Sequence, residues 1–106
     1  MAIIILKQAK RELEDFPKTV LFDVYSLFEE LAGHKTLSLP ISRPLFSIQK
    51  GLHELRLSGS SGEFRVFYWI QVKDLIYILH ACQKKKQEID KKTIQLIRFR
   101  LRSIGP

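Results

Sequence analysis

The chain has 106 residues, 45% of them hydrophobic, enough for one modest core and too few for a second domain, so residues 1–106 are read as a single domain. One cysteine, Cys82, excludes an internal disulfide, and three scattered histidines give no metal-ligand spacing, so neither a metal nor another cofactor is expected. The formal charge of +7 is uneven: residues 84–106 hold eight basic and two acidic side chains, while residues 51–83 hold three of each, so attraction for a polyanion belongs to the tail.

Ala2 to Leu6 is a short β-branched run and reads as a strand. Lys7, Lys10 and Arg11 follow it, the reverse of the order in a secretion signal, and no apolar stretch reaches the length of a membrane span. A cytoplasmic protein without a membrane partner is expected. Lys7 to Asp15 reads as a charged helix ended by Phe16-Pro17. Pro17 suits the first turn of a second helix, where its missing N–H is not needed. There Val20, Val24, Leu27, Phe28 and Leu31 form one apolar stripe, and Gly33 is placed to end it. Residues 34–51 carry Pro40, Pro44 and Gly51 and read as loop with at most a short strand.

The period then changes to two. Leu52 to Ser58 and Glu63 to Val72 read as strands joined by the turn Gly59-Ser60-Ser61-Gly62. Lys73-Asp74 reads as a tight turn into a third strand, Leu75 to Cys82. From Asp90, a candidate N-cap, to Ser103, Ile94, Ile97 and Leu101 alternate with Lys and Arg as a basic amphipathic helix. This order predicts an α+β fold of two layers: an N-terminal helical hairpin on a small, mostly antiparallel sheet, with the first strand returning to its edge and a basic C-terminal helix.

Side chains alternate along a strand. Glu54, Arg56 and Ser58 share one face, and Arg65, Phe67 and Trp69 share a face opposite the core set Phe64, Val66 and Ile70. On the last strand, Ile76, Ile78, His80 and Cys82 are expected to alternate with Leu75, Tyr77, Leu79 and Ala81. Arg56, Arg65 and Lys84-Lys85-Lys86, with aromatic side chains between, would make a basic face that grips phosphates and stacks bases. The plainer reading pairs Arg56 with Glu54 or Glu63, packs Trp69 and Phe67 under the C-terminal helix, and makes His80 a hydrogen-bonded packing residue. The serines near the turn lack the strand–turn–helix elbow of a hydrolase, and the Gly/Ser turn is too short for a phosphate loop.

Glu54-Leu55-Arg56, the Gly/Ser turn, Phe64-Arg65-Val66-Phe67-Tyr68 and Leu79-His80-Ala81-Cys82-Gln83-Lys84-Lys85 resemble the HigB-type, phage Gp49-like branch of the RelE/ParE toxin superfamily. The resemblance covers nearly the whole chain and is most specific from Gly51 to Gln87. It implies a RelE-like fold and the toxin of a type II toxin–antitoxin pair. Such a toxin enters the ribosomal A site and cuts mRNA without a metal, and a cognate antitoxin, usually of helix-turn-helix type, neutralises it. In the implied chemistry a ribose 2′-OH attacks the adjacent phosphate, giving a cyclic phosphate and a free 5′-OH. The enzyme orients the attack and stabilises the developing charge.

Carried onto this chain, Arg65 matches the arginine that holds the phosphate and Arg56 a second basic position. Lys84 and Lys85 match a basic pair, and His80 matches a histidine of this branch. The charge of the tail and the aromatic side of the sheet face add Lys86, Lys91, Lys92 and Trp69 as expected RNA-binding residues. The chain departs from some relatives in lacking a tyrosine or histidine between Glu88 and Lys92, and Glu54 stands where some ribonucleases carry lysine. An ordinary lysine, with a pKa of about 10.4, is a poor base at neutral pH. Two alternatives share the fold: a ParE-like module whose partner is DNA gyrase, and a non-catalytic basic RNA- or protein-binding module.

Overall fold

A computed structural model describes residues 1–71 and 74–105. Its elements are β1 (Ala2–Ile5), α1 (Lys7–Glu14), α2 (Lys18–Ala32), β2 (Ser42–Pro44), β3 (Leu52–Gly59), β4 (Gly62–Gln71), β5 (Leu75–Gln83) and α3 (Lys91–Ile104). Val72, the expected end of the long strand, and Lys73 of the expected turn lie outside the described residues.

The five strands make one sheet in the order β1-β5-β4-β3-β2. β3, β4 and β5 form the antiparallel meander, and β1 joins β5 in parallel at the edge, as its β-branched run implied. β2, the short strand within the 34–51 segment, closes the opposite edge against β3. Both faces of the sheet carry a core. Ala9 and Leu13 of α1 and Val20, Val24, Phe28 and Leu31 of α2 pack on Leu55, Leu57, Phe64, Val66, Tyr68, Ile76 and Ile78. Ser42, fully buried on this side, meets the Tyr68 hydroxyl at 2.7 Å and satisfies it. On the other face Ile97 of α3 seals a smaller cluster of Leu45, Leu52, Phe67 and Leu79, with Trp69 and Leu101 at its margin.

The ends of the helices follow local chemistry. Asp90 caps α3 by accepting a 2.8 Å hydrogen bond from the Thr93 amide, the role read for it from sequence. Gly33 closes α2, but at φ −81; the left-handed residue is His34, at φ 67. Gly51, at φ +85, starts β3 where a Cβ would lie 2.7 Å from the Ile70 carbonyl oxygen, so a side chain is excluded there.

One expectation is overturned. The register of β4 on β5 slips between Phe67, which faces His80, and Tyr68, which faces Ile78, leaving Leu79 as the extra residue of a bulge. Strict alternation across β5 therefore fails. Ile76 and Ile78 join the core under the helical hairpin, but beyond Leu79 the parity reverses: Ala81 joins that core, and Cys82 turns to the α3 face.

Candidate functional site

The α3 face of the sheet is only partly covered. Beyond the reach of α3, the ends of β2, β3 and β4 carry a cluster of charge. Glu54 of β3 faces Arg43 of β2 and Phe67 of β4, and Arg56 of β3 faces Arg65 of β4. Alternation puts these side chains on one face. Glu54 is buried at 1% exposure and meets three guanidiniums. Arg65 Nε lies 2.9 Å from its Oε2, and Arg43 Nε and Arg56 Nε lie 3.4 and 3.9 Å from its Oε1. The Arg65 and Arg43 contacts are ionic rather than directed hydrogen bonds, because neither N–H is aimed along the line to the oxygen. One carboxylate thus answers three cations.

The three arginines differ in what they can still do. Arg65 is buried, and its Nη2 donates to the carbonyl oxygens of Lys86 at 2.8 Å and Gln87 at 2.7 Å, tying the 84–90 loop down over the sheet. Arg43 and Arg56 are each 39% exposed at the side chain. A cleft of about 340 Å³ opens beside them, lined by Pro40, Ile41, Arg56, Ser58, Arg65 and Lys84. Glu63 stands on its rim and holds Lys84 Nζ at 3.1 Å, while the Gln87 side chain accepts a bond from the same ammonium at 3.2 Å.

The structure therefore gathers Arg56, Arg65 and Lys84 at one cleft. It puts the other sequence-derived candidates elsewhere. Lys85 and Lys86 are exposed on the loop beyond β5, and Lys91 and Lys92 on the first turn of α3. Trp69 lies at the far end of β4, stacked on Tyr77 at 6.0 Å, with its Nε1 donating to the Lys50 carbonyl oxygen. It packs beside α3, as the plainer reading had it.

His80 belongs to a second polar cluster. Its ring stacks on Phe67 at 5.9 Å, and its Nδ1 lies 2.9 Å from Glu12 Oε1. Arg100 of α3 grips both oxygens of Glu12, at 2.8 and 3.0 Å, and also donates to the Leu79 carbonyl oxygen at the bulge. The Ala81 amide, past the end of β1, donates to Glu12 as well. Burial works against the Glu12 charge, but the bonds and charges of His80 and Arg100 outweigh it and hold the carboxyl down at about 2. This cluster fastens α1, β5 and α3 together. Cys82, opposite Arg65, is kept a thiol: burial pushes it up to about 11, though the Arg65 charge opposes the shift.

Arg43 and the Glu12–Arg100 pair escaped the sequence reading. Arg43 sits in a segment that reads as loop, and Glu12 and Arg100 are 88 positions apart with no pattern linking them. Among the described residues no group of three His, Cys, Asp or Glu side chains could hold a metal ion. Nor is any described helix long and apolar enough to cross a membrane.

The helical hairpin on a five-stranded sheet matches the fold of solved RelE toxins. The free E. coli toxin RelE, as a double arginine-to-alanine mutant, superposes with a TM-score of 0.68 at 15% identity, over 94% of this chain and 96% of that one. The toxin–antitoxin complex RelBE2 of Mycobacterium tuberculosis gives 0.54 at 20% identity, over 78% and 96%. The intact E. coli RelBE toxin–antitoxin complex gives 0.51 at 12%, over 80% and 98%. No curated protein matches the sequence. Residues 11–102 match the family described as Phage derived protein Gp49-like (DUF891), and the chain belongs to that family. The resemblance read from its strands stands.

Proposed function

We propose that this protein is the toxin of a RelE-like toxin–antitoxin pair and acts as a metal-independent, ribosome-dependent mRNA endoribonuclease. The observation that carries the reading is the convergence of Arg56, Arg65 and Lys84 on one cleft of about 340 Å³. Family membership and the RelE fold support it, and fold by itself would not give an activity.

In this reading Arg56 holds a non-bridging oxygen of the scissile phosphate. Its Nε is anchored on Glu54, and its exposed end projects into the cleft. Lys84, braced by Glu63 and Gln87, adds positive charge where the transition state becomes more negative. Arg65 acts at one remove, since it fixes Glu54 from below and the 84–90 loop from above. Glu54 is buried among three guanidiniums, whereas Glu63 is exposed on the rim beside Lys84, which makes Glu63 the carboxylate placed to take the 2′-OH proton. The attacking 2′-oxygen forms the cyclic phosphate as the bond from phosphorus to the 5′-oxygen breaks; the departing 5′-oxygen takes a proton from the Lys84 ammonium, and the proton held by Glu63 restores Lys84 3.1 Å away. Lys85, Lys86, Lys91 and Lys92 draw the polyanion in. The partners in this reading are mRNA in the ribosomal A site and a cognate antitoxin that covers the cleft.

The test is primer extension on a reporter mRNA after induction of wild type and Arg56→Ala. Arg56 is half-exposed, so its loss leaves the core intact. Wild type is expected to arrest growth and give new 5′ ends within the message, and the variant to do neither. Intact message in arrested wild-type cells overturns the nuclease.

A further inference from the structure

A second groove, of about 480 Å³, includes Arg43, the partner of Glu54 across the β2–β3 pair. Its walls are the 43–48 segment and the loop leading into α3, among them Arg43, Phe46, Ile48, Gln87, Glu88 and Ile94. The two depressions are neighbours. Arg56, which lines the first, and Arg43, which lines the second, both reach the same oxygen of Glu54. Glu54 neutralises one charge of the three around it, and Arg65 is the closest claimant at 2.9 Å. Arg43 and Arg56 are left as an excess of positive charge turned outward, and nothing among the described residues offers them another carboxylate.

Phe46 is the second observation. Its ring is 70% exposed on a segment whose neighbour Leu45 is buried. A solvated phenyl ring in the same groove as a guanidinium that shares its one carboxylate with two others matches the two chemical halves of a nucleotide: a base to stack and a phosphate to bind. Glu88 on the facing wall would repel a phosphate placed deep in the groove, so the anionic half belongs at Arg43 and the base inside. We propose that this groove is a second nucleotide subsite, in which Arg43 binds the phosphate next to the scissile one and Phe46 stacks the attached base. The inference rests on the nuclease reading for the direction of the strand. It adds a residue, Arg43, and a platform, Phe46, that the first cleft lacks. The occupant is single-stranded, because a paired base presents no free face to a side-chain ring.

The experiment separates the two readings by using RNA that cannot be cut. The full-length protein is titrated with 2′-O-methyl oligoadenylates of two and three nucleotides, and binding is followed by NMR chemical shifts, which suit weak complexes. The same proteins are assayed for cleavage on programmed ribosomes. Wild type should bind the longer oligonucleotide roughly tenfold more tightly, the scale of one stacked base. Phe46→Ala and Arg43→Gln should each abolish that gain while leaving affinity for the shorter one unchanged. Arg43→Gln should also lower the salt slope for the longer one by about 0.7, the value of one single-strand phosphate contact. Arg56→Gln should weaken both oligonucleotides alike. Phe46 is too exposed for its loss to unfold the chain. A length gain that persists in both Phe46→Ala and Arg43→Gln overturns the subsite, even with cleavage intact. The expected pattern without cleavage on ribosomes sustains the subsite and overturns the nuclease. Failure of wild type to bind either oligonucleotide overturns the subsite, and cleavage on ribosomes decides the nuclease by itself.

Discussion

Glu54 sets the electrostatics of the site. Removing a buried carboxylate strands the cations that face it, and Arg65, itself buried, cannot turn to solvent. Glu54→Gln is therefore expected to cost about 3 kcal/mol of unfolding free energy, the scale of a broken buried pair; urea denaturation measures it, and a loss under about 1 kcal/mol, the scale of an exposed pair, would refute the hub. Glu12 makes the matching case in pH. Its carboxyl is held at about 2 in the folded chain against an ordinary 4.5, so the unfolded chain binds that proton more readily. The pair's contribution is complete above about pH 4.5 and is lost as pH falls toward 2. At a partly exposed site it should amount to roughly 1–2 kcal/mol after solvent screening. Thermal melts should find Glu12→Gln less stable than wild type at about pH 7, with the gap closing near pH 2; a gap independent of pH would disprove the assignment. The sequence already offered Glu54 as a partner for Arg56, because i and i+2 share a strand face. That Arg65 would be buried was not legible, since its cover is a loop some twenty residues further on, held by backbone carbonyls that any sequence would supply.

At the scale of elements, periodicity located α2, α3 and the three long strands, because each buries a face and burial imposes the period, while α1 was marked by its charged run and the Phe16-Pro17 stop. The bulge at Leu79 left no such trace. Leu-His-Ala-Cys is compatible with either parity, and the slip is fixed by groups from outside the strand: Arg100 on the Leu79 carbonyl oxygen, and Glu12 on the Ala81 amide and His80 ring. The second core was also only half visible, since Phe67 and Trp69 could as well have faced RNA. In the fold Phe67 is fully buried under α3, and Ile97 is the helix's one fully buried side chain there. Ile97→Ala should then cost about 3 kcal/mol, within the range for deleting a buried aliphatic group. Hydrogen exchange should show amides of α3 losing more protection than those of α2, because Ile97 lies in the smaller cluster and α2 in the larger. Equal losses in both helices would mean that the two cores melt as one.

For the whole molecule, the proposed nuclease divides attraction and placement between different groups. The net charge lies beyond residue 83, whereas the cleft is built from strands whose segment, residues 51–83, is neutral overall. Lys85, Lys86, Lys91 and Lys92 are all exposed, so replacing them with glutamine removes four charges and no packing. If they act only by neutralising RNA phosphates, each lysine removed should flatten the plot of log affinity against log salt by roughly 0.7. The four-lysine variant would then bind RNA much more weakly than wild type at low salt, and the two would converge as salt rises, because the charges that distinguish them are screened. Arg56→Ala should behave differently. One phosphate contact is worth only about 0.7 of the slope, but the proposed bond from Arg56 to the scissile phosphate stabilises transition-state charge at any salt concentration, so its deficit in cleavage should persist at every ionic strength. Binding and cleavage measured across a salt series, on both variants, distinguish the two roles. A salt slope unchanged by removal of the four lysines would place the capture of RNA on the sheet itself.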